Sequence, residues 1–193
     1  MIAGPDPTIL TASQFLEQRN DMPECGQWSE LHHGRPFHFQ PPDVDHGNAI
    51  LNLSKHLAGY FQSQPQGYAC FDLGLLVKES PDTILFPAIA IYMEGQRFAE
   101  ADLAVSTTVP SLVVEMASTS DRKQYMASRV EQYLDWGISG VWQIDTQKEM
   151  MTVVSGNYPQ RFYEKTETVE SIPELPSLSF SLAGLFAIPD WYR

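Results

Sequence analysis

The sequence predicts an α/β (α+β) fold in which a mixed β-sheet lies between helices. Two segments, 45–62 and 120–136, repeat apolar residues at helical spacing. Short runs rich in Val, Ile, Leu and aromatic residues lie between and after them, bounded by Gly, Pro and Asp. Helical and extended segments are interleaved along the chain, which favours a layered arrangement around one shared core. With 193 residues, 43% of them apolar and 19% charged, the chain is expected to form a single globular domain over 1–193.

Taken in order, 11–19 (TASQFLEQR) predicts a short helix capped by Thr11 or Ser13, followed by a loop over 20–27. Residues 28–39 predict a hairpin with Gly34 and Pro36 in its turn, and Pro41-Pro42 then breaks the chain. The first long helix spans 45–62, with Ile50, Leu53, Leu57 and Phe61 on one face and Asp45 as its cap. Strands are expected over 69–77 and 83–92, separated by a turn at 78–82, and a third over 111–116 (SLVVEM). The second helix, 120–136, carries Met126, Val130, Tyr133 and Leu134 as its apolar stripe. Ser118, Thr119 or Ser120 caps it, and Gly137 ends it. Segments 140–145 and 150–155 predict a returning hairpin, and 161–165 another short strand. The Pro-rich tail closes with a packed element at 182–186.

Composition narrows the function classes. No apolar run approaches the ~20 residues that cross a bilayer, and the first residues lack a basic start followed by an apolar stretch, so a cytoplasmic protein without membrane contact is expected. Cys25 and Cys70 lack metal-ligand spacing and are expected to stay reduced. Twelve Lys and Arg against 24 Asp and Glu give a formal charge of −12. Proteins that hold nucleic acid draw affinity from basic patches, so this balance does not support DNA as a partner. The basic clusters are small: Arg122 with Lys123, then Lys148.

Glu115 is the sharpest chemical signal. A carboxylate within LVVEM sits on a strand expected to be buried, where it needs a metal, a cationic partner or a raised pKa. A structural ion pair or a carboxylate reaching water at the sheet end is the alternative. His46 opens a helix beside Asp45, where a solvated capping region is the plain reading. His32, His33, His38 and His56 show no zinc-ligand spacing, and neither a nucleophile elbow nor a phosphate-binding glycine loop is present. Trp28, Trp136 and Trp142 are most simply core.

The ordered segments resemble the Uma family of bacterial restriction endonucleases, members of the PD-(D/E)XK nuclease superfamily. Ser29-Glu30-Leu31-His32-His33-Gly34 is similar to the "YELIDG" element, and His46 stands at the start of the first long helix. Phe86-Pro87-Ala88 matches the "xPD" strand. Leu112-Val113-Val114-Glu115-Met116-Ala117-Ser118 matches "LVVEVxS", and Val141-Trp142-Gln143-Ile144-Asp145 matches "YWxVD". Arg129, Tyr133, Gly137 and Ile138 keep the spacing of the intervening helix, and the tail from Leu175 to Phe186 fits the family's ending.

The resemblance implies a restriction endonuclease-like fold and Mg²⁺-assisted phosphodiester hydrolysis of DNA. It implies roles for Glu115 as metal ligand, Arg129 at the position of a phosphate-stabilising Lys, and Glu30 as a further catalytic carboxylate. His46 and Lys123 are implied as substrate contacts. The match is incomplete. Ala88 replaces the "PD" aspartate, Tyr125 replaces an Asp on the second helix, His33 replaces the Asp of "YELIDG", and Arg129 replaces Lys. Arginine stays protonated and cannot act as a base. Asp82 is too distant to replace Ala88 if one strand joins them, since six residues span about 20 Å. Asp72 and Asp121 are further carboxylates that a rearranged site would have to recruit. Weakened or lost nuclease activity is therefore expected, the alternative being a non-catalytic binding or assembly protein, including a homodimer.

Overall fold

The computed structural model of the chain describes residues 9–189. Helix α1 (Ala12–Arg19) is capped by Thr11, whose side chain accepts from the Gln14 N–H while Gln14 reaches back to the Thr11 N–H. The expected loop contains a 3₁₀ turn, Pro23–Gly26. Strands β1 (Ser29–His32) and β2 (Arg35–His38) form the hairpin, but its turn is His33-Gly34, both at positive φ, and Pro36 lies within β2. A Cβ on Gly34 would fall 2.2 Å from the Ile9 side chain, so glycine is needed there for space as well as for its backbone angle.

Helix α2 (Val44–Gln62) begins one residue earlier than expected and is capped by Asp43, not Asp45. The run 69–77 is two strands, β3 (Tyr68–Phe71) and β4 (Gly74–Lys78), broken where Asp72 takes φ 52°. The run 83–92 is likewise split into β5 (Thr83–Leu85) and β6 (Ile89–Tyr92) around Phe86-Pro87-Ala88. Each break passes the chain from one sheet to another. Strands β7 (Val105–Ser106) and β8 (Leu112–Met116) precede α3 (Ser120–Trp136), which Gly137 ends at φ 106°. Strands β9 (Gly140–Asp145), β10 (Met150–Ser155) and β11 (Tyr158–Glu164) follow. A hairpin that the sequence did not reveal, β12 (Thr168–Ile172) with β13 (Leu175–Ser181), comes before the short α4 (Leu182–Leu185).

The larger sheet runs β11-β10-β9-β8-β6-β3, antiparallel except for β8 and β9, which α3 connects as a crossover. The smaller sheet runs β2-β1-β5-β4-β7. Alternation along β8 sorts the core: Val113 faces α3 with Leu75, Val130 and Val141, while Val114 faces α2 and the β12–β13 hairpin with Leu53, Trp142 and Phe180. A third cluster, Phe15, Leu31, Ile84 and Phe86, seats α1 against the smaller sheet. No described helix is long and apolar enough to cross a membrane.

Candidate active site

Strand β1 belongs to the smaller sheet and β8 to the larger one, and α3 packs where they meet. Glu115 shares the face of Val113 and therefore points toward α3. On α3, residues 122, 126, 129, 130 and 133 form one buried stripe at helical spacing, and two of them are arginines. Arg129 bridges the sheets. Its Nη1 donates to Glu30 Oε2, and its Nη2 donates to Glu115 Oε1 at 2.6 Å. Tyr133, one turn further on, donates its hydroxyl to the same Glu115 oxygen at 2.5 Å. The Phe86 N–H donates to Glu30 Oε1 at 2.9 Å, and His32 Nε2 lies 3.0 Å from Glu30 Oε2. Glu30, Glu115 and Arg129 are each only 1% exposed, so the ion pairs are screened little by solvent.

Burial alone would raise the Glu30 carboxyl, but the charge of Arg129, then the hydrogen bonds from His32 and Arg129, outweigh it and hold the group at about 2. Burial alone would lower Arg129, and the charges of Glu115 and Glu30 instead raise it well above its ordinary value. Tyr133 is pushed well up, first by burial and then by Glu115. Glu30 and Arg129 are thus both charged at neutral pH, and Tyr133 is a neutral donor beside them.

The positions singled out from sequence converge. Ile89 of β6 pairs with Val114 of β8, so Ala88 and Glu115 are the next positions on these antiparallel strands. Ala88, Glu30 and His46 line one cavity of about 180 Å³ together with Trp28, Met116 and Arg122. His46 is buried in α2 rather than solvated, and its Nδ1 lies 2.8 Å from Ser118 Oγ. Burial, then the nearby Arg122 charge, lower it to about 4, so it is neutral at pH 7. Ser118 is therefore engaged with His46 rather than capping α3, and Thr119 at the cap position donates instead to Asp121.

Lys123 is not brought to this cavity. It pairs with Asp145 at 3.0 Å and Gln147 at 2.9 Å beside β9. Its neighbour Arg122 lines the cavity instead, a residue that the one-turn spacing to Met126 and the seven-residue spacing to Arg129 could have singled out. Tyr125 packs edge-on against Phe37 and Phe39, closing the site with aromatic surface where a carboxylate was expected. Asp82 is committed elsewhere. It accepts from the Ala12 N–H at 2.7 Å at the start of α1. Asp121 accepts from Gln40, Thr119 and Arg122, whereas Asp72 reaches the cavity rim. No group of three or more His, Cys, Asp or Glu arranged to hold a metal occurs among the described residues.

Comparison with known proteins decides the family. The family described as "Putative restriction endonuclease", Uma2, matches residues 14–183. The chain belongs to the Uma2 family. Among solved structures, a protein from Anabaena variabilis described as a putative nuclease belonging to DUF820 shares the fold with a TM-score of 0.73. It is 17% identical, and the match covers 92% of this chain and 97% of that one. No curated protein matches. The restriction endonuclease-like fold expected from the sequence is thereby established. Within this Uma2 chain, Arg129 bonds to both Glu30 and Glu115, and Ala88, immediately before the neighbouring strand β6, lies beside Glu115.

Proposed function

We propose that this chain is a DNA endonuclease fold in which Mg²⁺-dependent phosphodiester hydrolysis is weakened or lost, because an internal guanidinium occupies the place of the catalytic cation. One observation carries the reading: Arg129 joins Glu30 and Glu115 directly. A hard divalent cation needs several oxygen ligands at about 2.0–2.6 Å, mostly from carboxylates, carbonyls and water. Three of the four carboxylate oxygens in the triad already accept hydrogen bonds from Arg129, His32, Phe86 or Tyr133. Ala88 offers none, and the aromatic wall of Phe37, Phe39 and Tyr125 adds none. The residues present do not fit the metal.

The activity test is cleavage of supercoiled plasmid with Mg²⁺ or Mn²⁺. Wild type is expected to cleave no faster than Glu115→Ala, while the double variant Ala88→Asp with Arg129→Lys, which adds a ligand and removes the paired guanidinium bonds, is expected to gain cleavage. Wild-type cleavage that Glu115→Ala abolishes sinks the proposal. In place of hydrolysis, a binding or assembly role for a cytoplasmic homodimer is consistent with the exposed edge strand β11, which presents Tyr158 and Phe162. A monomer in sedimentation of the same preparation at micromolar concentration would remove the homodimer.

A further inference from the structure

Arg122 is 6% exposed and lies on the buried stripe of α3, yet among the described residues its guanidinium makes no hydrogen bond and no ion pair. Its Nε–H is fully buried without an acceptor. The guanidinium carbon sits 4.6 Å from the centre of the Phe39 ring and 5.7 Å from that of Trp28. Those faces hold the planar group in place but accept none of its five N–H bonds. A cation buried in this way is costly unless something completes its hydrogen bonding.

The residue faces the cavity of about 180 Å³ beside the triad. Two carboxylates also line that space and lie within reach of the Arg122 charge, but each makes its direct ion pair elsewhere: Glu30 is bound by Arg129, and Asp72 at the rim lies 3.8 Å from Arg19. Arg122 is the cavity's cation without an acceptor. His46 and the Gln27 amide add neutral polar atoms, and Trp28, Phe71 and Phe86 provide apolar wall. A water needs only about 10–15 Å³ of such space, so the cavity has room for a tetrahedral anion carrying a small organic group.

We infer that this cavity binds one compact phosphate-type anion through Arg122. Guanidinium and phosphate match in charge and in paired hydrogen-bond geometry. Arg122 is only 6% exposed, so a compact anion is the expected ligand rather than the backbone of a duplex, whose phosphates lie on a broad convex surface. Free phosphate and the phosphate of a small ester share the required chemistry.

The test is calorimetric titration of the full chain with orthophosphate, adenosine 5′-monophosphate, adenosine and a short DNA duplex. One site for phosphate, for the monophosphate or for both is expected, with no binding of adenosine and no competition by duplex. Tighter binding of the monophosphate than of orthophosphate assigns the site to an ester, and equal binding assigns it to the free ion. Arg122→Gln should weaken binding by roughly tenfold or more, and Lys123→Gln should leave it unchanged. Ala88→Leu, which narrows the cavity while keeping Arg122, should also weaken it and decides the matter if Arg122→Gln fails to fold. Absence of binding at about 10 mM anion, equal affinity in Arg122→Gln, or duplex competing as well as the small anion overturns the inference. These readouts do not involve strand cleavage, so they stand or fall separately from the loss of nuclease activity.

Discussion

Arg129 is held by two carboxylates that no solvent reaches, and each carboxylate depends on it in turn. Removing one member of such a buried set leaves the others uncompensated, which costs far more than the pairs contribute net. Arg129→Met is therefore expected to lower unfolding stability by about 3–5 kcal/mol in urea or guanidinium titration, and Arg129→Lys by less because a charge remains. A Met variant within about 1 kcal/mol of the parent would show that Glu30 and Glu115 do not rely on the guanidinium. Tyr133 completes the set through the same Glu115 oxygen, so the site is closed by hydrogen bonds on the α3 side as well as by charge.

At the scale of elements, the site exists because two strand pairs break where they do. Phe86-Pro87-Ala88 separates β5 from β6, letting the chain leave the smaller sheet and enter the larger one, and the Phe86 N–H at that break holds Glu30. Helix α1 is tied to the same region through Asp82, which accepts from the Ala12 N–H with its side chain and from the Gly34 N–H with its carbonyl. Asp82 therefore serves the scaffold and not the site. Asp82→Ala should cost about 1 kcal/mol, as loss of a helix-start acceptor does, and should speed hydrogen exchange at the Ala12 amide. Unchanged exchange there would show that α1 is anchored by Phe15 packing alone.

Across the whole molecule, two buried groups set the response to acid. His46 titrates at about 4 in the fold against 6.5 ordinarily, so the unfolded chain takes up its proton first and stability falls as pH drops from about 6.5 to 4. Glu30 titrates at about 2 against 4.5, so its contribution is present above about 4.5 and is lost as pH falls toward 2. Thermal unfolding followed from pH 7 to pH 3 should decline in these two stages. His46→Gln should flatten the first stage by roughly 2–3 kcal/mol over its range while leaving the second. A variant whose pH profile overlays the parent would assign the early stage to other groups. The −12 formal charge works in the opposite direction, since carboxylates repel one another most when all are ionised and acid relieves that repulsion.

Local pattern by itself determined the long helices, the hairpins β1–β2 and β9–β10, and the presence of a carboxylate on the buried strand β8. Each of these depends on a periodicity or a glycine that acts within a few residues. The ordered motifs also singled out Glu30, Glu115 and Arg129. Tertiary structure alone decided that Arg129 bonds to both carboxylates, because that depends on how two sheets meet under α3. It also decided that Arg122 and not Lys123 faces the cavity, a difference of one position and about 100° around the helix axis. The strand breaks at Asp72 and at 86–88, and the β12–β13 hairpin with its prolines, were illegible for the same reason. Apolar runs report burial, but which sheet a buried strand joins is fixed by partners distant in sequence.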